Sequence, residues 1–300
     1  MRVVQYKEFG SPSVLHEVEV PDPVPGPGQE LVCVTAAGVN FGDTLLRSGH
    51  ARGLFPWVPI PDEPGPLGGE VVGVTADGRR LAGVPTGPGY ASHAVLTEPV
   101  EVPDTLSDHE AAALLSQGTT ALAAARAGRI APGDRVLVEA ATGGVGSLLV
   151  QLASRAGAIV VAATRGAHKL AIASQLGAHE VVDYSVPGWS AGLEPIDVAL
   201  SSVGGATARE SFDLLRTGTG RLVLFGYAGG APLDVDASDV FGRGVSITGL
   251  WGTYSTDAVR EAFASGLSPI LGAALPLSDA ARAHYLLESR STTGKLILVP

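Results

Sequence analysis

The chain is poor in cysteine, in lysine and in long apolar runs, and each shortage closes off a class of function. Cys33 is its only cysteine, which excludes an intrachain disulfide and any zinc site built from three or four thiolates. It lies in the apolar run Leu31-Val32-Cys33-Val34, where a buried structural thiol is expected. The seven histidines fall at no paired metal-ligand spacing, so no metal site is expected. Lysine occurs only as Lys7, Lys169 and Lys295, the net charge is −10 and the 20 basic residues are dispersed, which argues against a nucleic-acid partner. No apolar run approaches the roughly 20 residues that span a bilayer. The opening MRVVQYKEFG begins directly with a strand pattern, pointing to neither signal peptide nor anchor and to a cytoplasmic protein without a membrane partner.

What the chain does have is core-forming material: 300 residues, 45% hydrophobic, enough for two domains. Residues 1 to about 115 read as β-rich, with strands at Val3-Val4, Leu15 to Val20, Glu30 to Ala37, Val71 to Thr75, Arg80 to Ala82 and Tyr90 to Leu96. A short helix is expected over Phe41 to Arg47 with Asn40 as its N-cap. A proline-rich loop runs from Gly49 to Pro66, and loops of that length are often functional. Ser107-Asp108-His109-Glu110 is a capping box ahead of a helix over 111–115, and a second helix is expected over 119–127. From residue 135 strands and helices alternate, the pattern of a doubly wound parallel sheet in an α/β protein.

The most informative stretch is Arg135 to Gly146. Val136, Leu137 and Val138 form a buried strand, Ala141-x-Gly143-x-x-Gly146 forms a small-residue turn, and Val145, Leu148, Leu149 and Leu152 recur at helical spacing. Strand, turn and helix in this order suit a dinucleotide pyrophosphate, which needs a close backbone approach and the free N–H groups of a helix start. A second strand, Ala158 to Ala163, ends about 20 residues on, where an NAD site would carry an acid for the ribose hydroxyls. Here the sequence is Thr164-Arg165-Gly166-Ala167-His168-Lys169. The cations Arg165 and Lys169 favour a 2′-phosphate, and so NADPH over NADH.

In their order along the chain, the motifs Ala36-Ala37-Gly38-Val39-Asn40-Phe41-Gly42-Asp43, Gly68-Gly69-Glu70, Leu115 to Ala121, Glu139 to Gly146, Val182-Asp183-Tyr184, Ser202-Val203-Gly204-Gly205, Leu222 to Gly226 and Thr293-Gly294-Lys295 resemble the zinc-independent medium-chain dehydrogenase/reductases, in the quinone oxidoreductase and enoyl reductase branch. The resemblance implies a Rossmann NADP(H)-binding domain over 116–265 and a GroES-like β-rich catalytic domain from 1–115 and 266–300. It also implies a homodimer acting on a small-molecule substrate. Zinc-dependent relatives carry a metal-binding His where this chain has Gly69.

By the same resemblance Gly143, Gly144, Val145 and Gly146 would underlie the pyrophosphate, and Lys169, Tyr184 and Arg165 would hold the 2′-phosphate. Asn40, Gln117, Thr120, Phe225 and Gly226 would line the nicotinamide side, with Ala141, Thr142, Thr164, Val203 and Lys295 completing the cofactor set. The implied chemistry is hydride transfer to a quinone or an enone, with Asn40 and Asp43 in the catalytic segment. Many relatives place a Tyr donor where this chain has Ala51, which leaves His50, Arg52 and Tyr90 as substitutes. That departure also opens a second class, a reductase-like cyclase or isomerase without redox turnover. Arg-rich, Lys-poor usage suggests a high-GC bacterium, where such enzymes often serve tailoring pathways.

Overall fold

The computed structural model describes residues 1–51 and 62–300, so most of the Gly49–Pro66 loop, Arg52 included, lies outside the described residues. The chain divides into two compact units, 1–116 with 255–300, and 117–254.

The first segment supplies β1 (Arg2–Gln5), β2 (His16–Glu19), β3 (Gln29–Val39), α1 (Phe41–Ser48), β4 (Val71–Val74), β5 (Arg80–Gly83), β6 (His93–Thr97) and β7 (Val100–Glu101). β3 is the hub, pairing antiparallel with both β4 and β6. Its first half alternates, with Val32 and Val34 buried and Cys33 exposed between them. The expected burial of Cys33 is thereby corrected: side chains of a strand point alternately to opposite faces, and the core takes the two valines.

α2 (Asp108–Gly128) is one continuous helix where the sequence suggests two. Its capping box is formed, with the Ser107 N–H donating to Glu110 at 2.9 Å and the Glu110 N–H to Ser107 Oγ at 3.3 Å. Gly118 does not break it, because a helical glycine costs only about 1 kcal/mol relative to alanine, and residues 111–115 and 117–119 are buried.

The second unit follows with β8 (Arg135–Glu139), α3 (Gly144–Arg155), β9 (Ile159–Thr164), α4 (Ala167–Gln175), β10 (Glu180–Asp183), β11 (Val198–Ser201), α5 (Gly205–Asp213), β12 (Arg221–Leu224), α6 (Ala237–Arg243) and β13 (Ser246–Gly249). The strands pair in the order β10-β9-β8-β11-β12-β13, all parallel. That is the Rossmann order, with the reversal between β8 and β11. Right-handed crossovers on either side of a reversal place helices on both faces. Leu137, Val161, Ala199, Leu222 and Phe212 are central to its core.

The chain then returns to the first unit with α7 (Thr256–Ala264), β14 (Leu271–Pro276), α8 (Ala280–Glu288) and β15 (Lys295–Val299). α7 packs against β7, so the return falls at Ser255 and not at residue 266. β15 runs antiparallel to β3, with Leu296 opposite Val39, and β14 runs parallel to β15. Among the described residues no helix is long and apolar enough to cross a membrane.

Candidate active site

The turn after β8 is shaped by steric need. A Cβ on Gly146 would strike the Ala140 carbonyl, and one on Gly144 would lie 2.8 Å from Gln117 Cγ. Only glycine lets α3 start this close to the strand and to α2. Gly143 is the N-cap of α3, in extended conformation, and its N–H donates to Ala140 O at 2.8 Å. The first N–H groups of a helix have no intrahelical acceptor, and they carry the positive end of its dipole. The turn is tied to the next strand by the Ala141 N–H to Ala163 O at 3.1 Å and by the buried Thr142 and Thr164 hydroxyls 3.0 Å apart.

The ends of β9 and β10 bring four further expected residues together. Asp183 stands opposite Thr164, and the Tyr184 N–H donates to Thr164 O at 3.1 Å. Arg165 is exposed and Lys169 half-buried on the first turn of α4, which opens at Gly166 with φ 81°. Asp183 is an acid at this point, contributed by the end of β10 and so invisible at the end of β9 in sequence. Its carboxylate accepts the Gly166 N–H at 2.9 Å and both the Ser185 N–H and hydroxyl. Those Ser185 bonds, with the Arg165 charge, hold it below the usual carboxylate range. Asp183 therefore shapes the loop that presents Arg165.

Val203 is buried in the loop after β11, and Phe225 and Gly226 follow β12, where the Phe225 N–H donates to Ser201 O at 3.0 Å. Gln117 is buried, and the Thr120 hydroxyl lies 3.3 Å from that of Thr253. All of these belong to the second unit.

In the first unit a buried polar network surrounds Asn40. The Lys295 ammonium donates to Asn40 Oδ1 at 2.8 Å and is ion-paired with Glu70, both charged groups being buried. Asn40 Nδ2 donates to the same Glu70 oxygen at 3.0 Å, and the Ser116 N–H donates to the other at 3.1 Å. The sequence arranges this simply. β3 ends beside β15, so Asn40 meets Lys295, and a Cβ on Gly38 would clash with the Glu70 carboxylate. Glu70 is the member that sequence reasoning misses; the only signal for it is the glycine-flanked Gly68-Gly69-Glu70.

Below Asn40, the Asp43 carboxylate accepts the Asn40 N–H at 3.0 Å and the Tyr90 hydroxyl at 2.9 Å. Burial pushes the Asp43 carboxyl up and, with Asp43 beside it, the Tyr90 hydroxyl well up. The Tyr90 oxygen also lies 3.3 Å from His284 Nε2. Burial and the Arg47 charge push His284 down to about 3, so it is neutral at pH 7. With the Tyr90 proton on Asp43, His284 must carry its own on Nε2. Arg47, fully buried, pairs with Glu288 and donates to Gly10 O, fastening α1 to α8. Tyr90 is thus an interior residue that supports Asp43, which corrects its expected place as a group facing substrate. His50 is exposed beyond α1, its N–H 3.4 Å from Ser48 Oγ, and among the described residues it makes no bond to the network.

Comparison with known proteins gives a consistent answer. Residues 144–267 match a family described as zinc-binding dehydrogenase. A quinone oxidoreductase of Sus scrofa is 31% identical over 100% of this chain and 98% of its own length. The quinone oxidoreductase of Thermus thermophilus, solved also in complex with NADPH, superposes with a TM-score of 0.85 at 32% identity, covering 100% of both chains. That of Escherichia coli, complexed with NADPH, gives 0.88 at 27% identity, again covering 100% of both.

Proposed function

The chain belongs to the quinone oxidoreductase branch of the medium-chain dehydrogenase/reductases, and from that premise we propose that it is an NADPH-dependent reductase of quinones or α,β-unsaturated carbonyls. The observation that carries the reading is the gathering of Arg165, Lys169 and Tyr184 around Thr164, in a chain with net charge −10 and three lysines. The glycines of the 143–146 turn fit the same cofactor, since side chains at Gly144 and Gly146 would occupy space already filled by Gln117 and Ala140.

NADPH, when bound, supplies the hydride from its nicotinamide ring. The chain's residues bind and orient. The start of α3 receives the pyrophosphate, and Arg165 and Lys169 receive the 2′-phosphate by charge-assisted hydrogen bonds. Asn40 offers an amide N–H to the substrate oxygen that gains negative charge during reduction, the kind of interaction that lowers a barrier most. Lys295 and Glu70 decide which way that amide faces, ammonium to Oδ1 and carboxylate to Nδ2. Tyr90 keeps its proton on Asp43, so the proton that completes the reduction comes from water.

The test is NADPH oxidation followed with a 1,4-quinone and with an enone, in wild type and Asn40→Ala. We expect turnover with NADPH that falls by about a hundredfold in the variant, the scale of losing one oxyanion donor. NADPH binding without turnover on either acceptor class contradicts the reading.

The same reading takes the chain as a homodimer. β13 ends the six-stranded sheet, and Phe241 and Trp251 on either side of it in sequence are largely exposed. An open strand edge beside apolar side chains is a pairing surface. Sedimentation should return twice the 30.4 kDa chain mass; the single-chain mass contradicts it.

A further inference from the structure

The second unit also buries a carboxylate. Glu139 closes β8, is fully buried and stands immediately before the 140–146 turn. One of its oxygens accepts from Ser201 Oγ at 2.9 Å and from the N–H groups of Ser202 and Val203 at 3.0 and 2.9 Å. The other accepts from Ser211 Oγ at 2.7 Å. All four donors are neutral, and burial pushes the Glu139 carboxyl up against them. A buried carboxyl is costly unless its lost water is replaced in full, and here four donors replace it, two of them backbone N–H groups of one loop. Its presence calls for a reason beyond packing.

The backbone it holds leads onward. Ser202 O accepts the Ala228 N–H at 2.9 Å, and Val203 O accepts the Gly229 N–H at 2.6 Å. A Cβ on Gly229 would come within 2.6 Å of that same oxygen. One carboxylate thus fixes the loop after β11, and that loop fixes the backbone after β12. β8, β11 and β12 are neighbours in the sheet, and the loops at the carboxyl ends of parallel strands are where such sheets bind ligands.

We propose that Glu139 is a positioning residue for the nicotinamide half of the cofactor site: through the Ser201–Val203 segment it sets Val203, Phe225 and Gly226, leaving the adenosine half at Thr164 to Lys169 untouched. This rests on the cofactor reading above.

The experiment titrates wild type, Glu139→Ala and Glu139→Gln with NADPH and with 2′,5′-ADP, which carries the adenosine and the 2′-phosphate without the nicotinamide. Glutamine can keep the geometry. Its carbonyl accepts the three donors of Ser201 to Val203, and its amide donates to Ser211 Oγ, whose single proton is then released from Glu139 to turn to Thr207 O, 3.0 Å away. The alanine variant should lose about tenfold or more in NADPH affinity, as displaced positioning groups do. Its 2′,5′-ADP affinity should stay within about twofold, and glutamine should restore NADPH binding. Should the alanine variant fail to fold, Glu139→Asp, one methylene too short to reach both sets of donors, gives the same comparison. Equal losses on both ligands, or no loss on either, overturn the proposal and leave the cofactor reading intact. A wild-type chain that binds neither ligand overturns the cofactor reading and this proposal with it.

Discussion

The two units build their candidate residues in opposite ways. In the 117–254 unit the proposed cofactor groups are backbone N–H groups at the start of α3 and two cations, the exposed Arg165 and the half-buried Lys169. In the other unit the candidate groups are side chains fixed by other buried side chains, Asn40 by Lys295 and Glu70, and Asp43 by Tyr90. The first design depends on shape: remove the glycines and the turn no longer fits. The second depends on charge balance in the interior, where each member is tolerable only while its partner stands. The lesson is that the folding of the 117–254 unit tolerates changes of charge better than changes of volume, and that of the other unit the reverse.

Breaking a buried partner should have the largest effect. Lys295→Met leaves Glu70 charged and unpaired in the interior, and losing one partner of a buried pair costs about 3–5 kcal/mol. Thermal unfolding should show a loss of that size, and the double variant Lys295→Met with Glu70→Gln should recover part of it. A single variant as stable as wild type would mean that charge balance does not govern this unit.

A volume change on the other side comes next. Gly146→Ala drives a Cβ into the Ala140 carbonyl, an overpacking that costs about 1–3 kcal/mol. NADPH affinity should drop by about tenfold or more, since one factor of ten is about 1.4 kcal/mol. Calorimetric titration decides it, and unchanged affinity would remove the steric account of the turn.

The effect that is smallest near neutral pH, and grows only as pH falls, is a pH dependence. His284 titrates at about 3 in the folded chain and near its ordinary value of 6.5 unfolded. Between those values the unfolded chain binds more protons, so this residue makes stability fall as pH drops from about 6.5 toward 3. The raised carboxyl of Asp43 acts in the opposite sense, which is why the difference between wild type and His284→Gln is the informative quantity. Stability curves that run parallel from pH 7 to pH 4 would contradict a neutral buried His284.

The same contrast explains what was legible in the sequence. The turn and its strand were readable because backbone demands appear as local glycine spacing and a three-residue apolar run, Val136 to Val138. Lys169 and Arg165 stood out against the scarcity of lysine. The network around Asn40 was not readable, because Glu70, His284 and Lys295 come from distant stretches that only β3, β15 and α8 bring together. Tyr90 illustrates the limit: its identity suggests an acid, but only its burial and its bond to Asp43 reveal the role. β13 and β14 are hard to read in sequence because they are short and largely exposed, and β14 does not alternate in polarity. The single helix over 108–128 was split at Gly118, where buried packing outweighs propensity.

The most direct test of the central claim is a paired titration of NADPH and NADH on wild type and on the Arg165→Ala, Lys169→Ala double variant. The account predicts a wild-type preference for NADPH that falls by about tenfold or more in the double variant, each lost charged hydrogen bond being worth about 1.5–3 kcal/mol, with NADH affinity little changed. Equal affinity for the two cofactors in wild type, or a preference that survives the double substitution, would contradict it.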